Sequence, residues 1–198
     1  MTQAPADRPP YIGPDGQPYV DLWQTEGSRA GPALGQNGSY SCELYGRKAV
    51  QHIEGHNAST PLFFYVAFHD THSPLQCPER YLPGGYKPSS LSGPDHARTI
   101  YEGMLTCVSI ATGNITNALK SKGMWDNSLI VWSADNGGPA FTAANNFPLR
   151  GGKMTDWQGG VRVAAFATGG LIPKDMHGTV VNGAMHVRCA PILIVSSR

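Results

Sequence analysis

Three short stretches of the sequence hold side chains whose types and spacing suit chemistry. Asp135-Asn136-Gly137-Gly138 sets a carboxylate beside an amide oxygen, the hard donors that calcium or magnesium takes. The same four residues are also ordinary tight-turn chemistry, because Asx side chains and glycine favour the backbone a turn needs. His72, close to Asp70 and followed by Pro74, reads as a proton donor, an anion contact or a solvated loop histidine. Leu149-Arg150-Gly151-Gly152-Lys153 places cations around two flexible glycines, which suits an oxyanion lying against backbone and equally suits an exposed basic turn. Taken singly, each stretch leaves its readings open.

Elements are needed to position them. Ser41 stands ahead of a helical pattern in which Leu44, Tyr45, Ala49, Val50 and Ile53 recur, closed by Gly55. Leu62-Phe63-Phe64-Tyr65-Val66-Ala67-Phe68 is apolar without polar alternation, the pattern of a strand covered on both faces. Ile100, Met104, Leu105, Val108, Ala111, Ile115, Ala118 and Leu119 trace one stripe of a long amphipathic helix from about His96 to Lys122. Gly123 closes it, and Ser128-Leu129-Ile130-Val131-Trp132-Ser133 is a second apolar strand. Strand, helix, strand reads as a parallel crossover, and in such sheets ligands gather beyond the carboxyl ends of the strands. Both strands hand over there to polar clusters, His69-Asp70-Thr71-His72 and Asp135-Asn136, so one sheet edge is expected to carry one site. Val161 to Thr168 and Pro191 to Val195 are further strand candidates, with Gly169-Gly170 as a break.

Composition narrows the classes. Gly 24 and Pro 16 make about a fifth of the 198 residues, which is loop-rich but below the level at which disorder becomes the default. A net charge of +1 with no basic run argues against a nucleic-acid partner. The longest apolar run, Leu62 to Phe68, is far short of the roughly 18 residues of a membrane span. No signal peptide is legible at the N-terminus, yet Asn37, Asn57 and Asn114 each open a glycosylation acceptor pattern. Cys42, Cys77, Cys107 and Cys189 include no C-x-x-C pair, which argues against zinc. They are expected to be buried free thiols; if paired, three connectivities are open.

In combination and in order, these stretches resemble the sulfatase family, nearest to its arylsulfatase B type (N-acetylgalactosamine-4-sulfatase-like). The resemblance is carried by His72-Ser73-Pro74-Leu75-Gln76-Cys77-Pro78-Glu79-Arg80-Tyr81, Tyr101-Glu102-Gly103-Met104 and Gly113-Asn114-Ile115-Thr116-Asn117-Ala118-Leu119-Lys120. It continues through Ser133-Ala134-Asp135-Asn136-Gly137-Gly138, Asn145-Asn146-Phe147-Pro148-Leu149-Arg150-Gly151-Gly152-Lys153 and Trp157-Gln158-Gly159-Gly160-Val161-Arg162.

The resemblance implies an α/β fold, an alkaline-phosphatase-like sandwich with a mostly parallel central sheet, here incomplete at both ends. It divides the chain into an irregular segment (1–39), the central part of a sulfatase catalytic domain (40–187) and a divergent tail (188–198). It implies that Asp135 and Asn136 are two ligands of a calcium ion that holds the sulfate group. Lys153 would contact the sulfate oxygens, and His72 would contact sulfate and assist the leaving alcohol. Arg150 and Arg162 are read as structural partners of nearby acids or carbonyls. The partner implied is a sulfated small molecule or glycan, and the location lysosomal or extracellular.

Some of the family's pattern is missing. Its members make a formylglycine nucleophile from the Cys or Ser of Cys/Ser-x-Pro-x-Arg, and no cysteine here fits; Cys189-Ala190-Pro191-Ile192-Leu193 has Leu193 where Arg is required. The Asp pair that completes the calcium site and the Lys-x-His segment are also absent, and Gln158 replaces a more usual Glu. The expectation is therefore a fragment or truncated gene product, inactive in isolation. Two rivals stand beside it: a catalytically inactive sulfatase-like binding module, and a phosphodiesterase or phosphatase of the same superfamily.

Overall fold

The computed structural model describes residues 22–36, 38–85, 94–181 and 192–196, with the single positions 14 and 16. Two short strands, β1 (Trp23–Glu26) and β2 (Arg29–Pro32), form an exposed antiparallel hairpin. Helix α1 (Ser41–Gly55) follows, then β3 (Leu62–Val66), helix α2 (Pro94–Ser121) and β4 (Ser128–Ser133). A one-turn helix α3 (Gln158–Val161), β5 (Ala165–Thr168) and β6 (Ile192–Ser196) complete the order.

The four-stranded sheet runs β3-β6-β4-β5 and corrects the expectation of a mostly parallel sheet. Every ladder among the described strands is antiparallel. The reason is β6, which enters the slot between β3 and β4 in the opposite direction to both. Val66 and Trp132 both pair with Ile192, so β3 and β4 point the same way and end level. The α2 crossover therefore still delivers both carboxyl ends to one edge, as the sequence pattern requires.

Helices α1 and α2 pack on one sheet face. Ala49 and Ile53 of α1 meet Ile115, Ala118 and Leu119 of α2 over Val66 and Ile130. The helices approach closely at Gly46, where a Cβ would stand 2.9 Å from the Cβ of Ala111. The other sheet face is bare where β3 presents it: Phe63 is 70% and Tyr65 47% exposed, correcting the expectation of a strand covered on both faces. An unbroken apolar run reports that two faces are apolar, not that both are covered. Leu105 also leaves the expected stripe, at 41% exposure. Ser41 is the first residue of α1 rather than its cap; Tyr40 takes that position without a side-chain capping bond. The strand expected over Val161–Thr168 is β5 alone, because the turn α3 takes up Val161. Cys42 and Cys107 are buried free thiols and Cys77 a half-buried one, while Cys189 and Asn37 lie outside the described residues.

Candidate active site

The first wall of the site is the loop after β3. The His72 N–H donates to the His69 carbonyl at 3.0 Å, closing a turn. His72 Nδ1 lies 2.8 Å from the Ser73 carbonyl. A carbonyl oxygen only accepts, so Nδ1 carries the hydrogen, and Nε2 is the nitrogen left to exchange a proton. The loop is anchored from α1 by the Tyr40 hydroxyl, which donates to Asp70 Oδ1. Asp70 Oδ2 is buried without a partner. Burial pushes the Asp70 carboxyl above the ordinary carboxylate range, against the opposing pull of the Tyr40 bond. Burial and the adjacent Asp70 drive the Tyr40 hydroxyl far up, so it stays a neutral donor.

The second wall follows β4. Asp135 Oδ1 accepts the Asn136 N–H at 2.8 Å, and Asn136 Nδ2 donates to the Gly137 carbonyl at 2.9 Å, leaving the Asn136 side-chain oxygen as that group's acceptor. Beyond them the chain is seamed to the Lys153 loop by backbone: Gly137 N–H donates to Gly160 O at 2.8 Å and Lys153 N–H to Gly138 O at 3.2 Å. No side chain fits in this seam. A Cβ on Gly137 would lie 1.7 Å from Gly159 O, and one on Gly152 2.6 Å from Gly138 O. Around Lys153, Thr155 Oγ1 accepts from Gly152 N–H at 3.1 Å and donates to Gly152 O at 2.7 Å. Met154, with φ 74, is the one positive-φ residue among the described ones that is not glycine. That strain sits beside a candidate anion contact.

His72, Asp135, Asn136 and Lys153 line one cleft of about 210 Å³, which also admits Asp70. Tyr101, Leu105 and Val108 of α2 form its apolar wall, which accounts for the exposure of Leu105. A second cavity of about 340 Å³ shares His69, Asp70, His72 and Asp135 with the first. The cations and hard oxygen donors thus come from three separate stretches of chain. Arg150 stacks on the Trp157 ring, 3.7 Å from its centroid, a partner different in kind from the acids or carbonyls expected; Arg162 lines neither cavity.

This arrangement can be set beside known proteins. A family model described as Sulfatase matches residues 3–185. The chain belongs to the sulfatase family. Arylsulfatase J of Mus musculus is 38% identical over 158 residues, covering 76% of this chain and 24% of that protein. A Sulfatase of Formosa agariphila is 32% identical over 114 residues, 54% of this chain and 20% of its own length. N-acetylgalactosamine-6-sulfatase of Mus musculus is 28% identical over 130 residues, 63% of this chain and 23% of its own. Among solved structures, Ps i-CgsB in complex with k-i-k-neocarrahexaose matches with a TM-score of 0.54 and 31% identity, over 65% of this chain and 27% of that one. This sulfatase chain spans about a quarter of the relatives it matches.

The donor set can be tested against calcium. Asp135 and Asn136 offer hard oxygens, which fit; calcium takes six to eight. Among the described residues no cluster of three or more His, Cys, Asp or Glu could hold a metal, so the fit is that of a partial site. The Tyr40–Asp70 bond is not legible in the sequence, because its partners lie 30 residues apart. Its only signal was a tyrosine directly before the first helical residue. Of the glycosylation patterns, Asn57 and Asn114 are exposed, Asn57 in a turn where its Oδ1 accepts from Ser59 N–H at 3.0 Å.

Two outcomes follow from this geometry. Gly137→Ala is expected to destabilise the chain by more than about 2 kcal/mol in urea unfolding. Gly113→Ala, where a Cβ on α2 meets nothing within 4 Å, should instead stabilise by about 0.5–1 kcal/mol. Equal effects would contradict the seam. Asp70→Asn tests the buried charge. With the folded-state carboxyl raised, the wild type is penalised as pH rises through that value and not below it. The variant should therefore gain more relative stability at pH ~7 than at pH ~3; a pH-independent difference would contradict the assignment.

Proposed function

We propose that this chain is the sulfate-holding part of a sulfuric ester hydrolase, acting with calcium on sulfate esters of sugars or aryl alcohols. The observation that carries the reading is the convergence of His72, Asp135, Asn136 and Lys153 on one cleft in a chain of the sulfatase family. The Lys153 ammonium, carried on a backbone whose N–H donates to Gly138 O, would face the sulfate oxygens and stabilise charge that grows there as the sulfur–oxygen bond breaks. His72, oriented through Nδ1, would present Nε2–H in its protonated form to the oxygen of the departing alcohol. Asp135 and Asn136 would hold calcium through two oxygens; when bound, the ion neutralises sulfate charge as a Lewis acid. Tyr101, Leu105 and Val108 give the cleft one apolar side, where a lower local dielectric would strengthen each of these interactions.

The Cys/Ser-x-Pro-x-Arg motif is absent from the 198 residues, so this chain by itself is expected to bind sulfate without turning over its esters. The same reading places the whole protein in a lysosomal or extracellular setting, with glycans on Asn57 and Asn114. No helix among the described residues is long and apolar enough to cross a membrane.

The test uses the purified chain. A synthetic aryl sulfate should yield no product, and inorganic sulfate should shift the Lys153 amide signal in NMR with an affinity that Lys153→Ala lowers at least about tenfold, the order expected for losing one charged contact. Hydrolysis by the chain alone would contradict the missing nucleophile. Unchanged sulfate affinity in Lys153→Ala would contradict the role of that lysine.

A further inference from the structure

We propose that Asn146 is a positioning residue that clamps the Asp135-Asn136 loop to the Lys153 loop and so makes cation and anion binding in the cleft cooperative. The proposal rests on the reading of the cleft given above and extends it to a residue outside the cleft. Asn146 Oδ1 accepts the Gly138 N–H at 3.0 Å, and its Nδ2 donates to Gly138 O at 2.7 Å and to Gly151 O at 3.2 Å. One planar amide thereby takes both backbone groups of the residue after Gly137 and reaches a carbonyl two residues before Lys153.

The chemistry admits no substitute. The group facing Gly138 N–H must accept and the group facing two carbonyls must donate, so the amide can be placed in one orientation only. A carboxylate would keep the acceptor but turn its second oxygen on two carbonyls. An alcohol is too short to serve both loops. Close packing removes the alternative of a side chain from elsewhere, since a Cβ on Gly138 would lie 2.2 Å from the Ala144 Cβ and one on Gly152 2.9 Å from Asn146 Nδ2. Nor is the clamp redundant with the seam. The Gly137–Gly160 and Lys153–Gly138 bonds fix the spacing of the two backbones, whereas the Asn146 amide bonds both the N–H and the C=O of Gly138 and so fixes the rotation of its peptide planes. That rotation sets where Asn136 and Lys153 stand relative to each other.

Positioning of this kind predicts coupling: an ion that orders one loop lowers the cost of ordering the other. The experiment titrates the full 198-residue chain with calcium and with inorganic sulfate, each alone and in the presence of the other, following the backbone amides of Asn136, Gly138 and Lys153 by NMR. In the wild type, calcium should shift Lys153 as well as Asn136 and should raise sulfate affinity about fivefold or more. In Asn146→Ala, the seam bonds keep the fold and the urea midpoint stays within the folded range. The Gly138 amide loses protection from hydrogen exchange, sulfate affinity falls about tenfold, and calcium no longer moves Lys153. Asn146→Asp separates structure from positioning: its carboxylate can still protect the Gly138 amide but should lose coupling at pH ~7, with partial recovery as pH falls towards ~4, where a protonated carboxyl regains a donor. Unaltered coupling in Asn146→Ala, or no pH dependence in Asn146→Asp, would overturn the clamp alone. A wild-type chain that binds neither ion would overturn the reading of the cleft and the clamp with it, while Gly138 protection would still report whether the hydrogen bonds exist.

Discussion

Backbone lying directly on backbone, along the seam of Gly137 and Gly138 with Gly151, Gly152, Gly159 and Gly160, is the constraint on which the rest of the site depends. Side chains position functional groups through rotamers, which exchange; peptide planes in contact leave no such freedom. A Cβ would collide with a carbonyl oxygen at Gly137, Gly152, Gly159 and Gly160, so glycine is required there for space and not for an unusual φ. The cost is chain entropy, since glycine loses more freedom on folding than any other residue. In return the backbones that carry a hard-oxygen pair and a lysine are held together, although the 16 residues between Asn136 and Lys153 are loop and turn and regular secondary structure does not link them.

The sheet brings the two walls together by a different device. Because β6 pairs with both β3 and β4 in the opposite sense, those two strands are co-directional and end level, and the loops that carry His72 and Asp135 leave from the same edge. Helix α2 crosses between them and serves two surfaces. Ile115, Ala118 and Leu119 bury against the sheet, while Tyr101, Leu105 and Val108 line the cleft near its other end. Asp70 is the point of tension: a carboxylate buried beside His69, tied by Tyr40 and otherwise unpartnered at Oδ2. Such a group holds the His72 loop against α1 at an electrostatic cost that rises with pH.

Much of this was legible in the sequence because the signals are local. Helix α1 and strand β4 follow from periodicity and from glycine stops, and α2 begins two residues earlier and ends one earlier than its stripe suggests. The gathering of polar clusters at one edge follows from the crossover rule. The sheet's direction was not legible, because antiparallel β6 is decided by pairing partners distant in the chain, and Ile192 to Val195 are apolar in a way that suits either sense. The burial of β3 is illegible for a related reason: Phe63 and Tyr65 record an apolar face, and nothing in their own spacing says what covers it. The Asn146 amide contacts are not legible either, because Asn145-Asn146-Phe147-Pro148 has turn composition and only the fold shows which carbonyls lie within reach.

In the proposed function, the cleft between the His72 loop and the seam holds a sulfate group beside a hard cation. Crystals of the 198-residue chain grown with calcium and soaked with selenate, an anomalous scatterer in sulfate's place, test it most directly. A selenium peak within hydrogen-bond distance of Lys153 Nζ and His72 Nε2, with a calcium peak about 2.3–2.6 Å from oxygens of Asp135 and Asn136, is the predicted result. Selenate bound elsewhere on an otherwise ordered chain, or a cation bridging Asp70 while Asp135 and Asn136 stay empty, would contradict it.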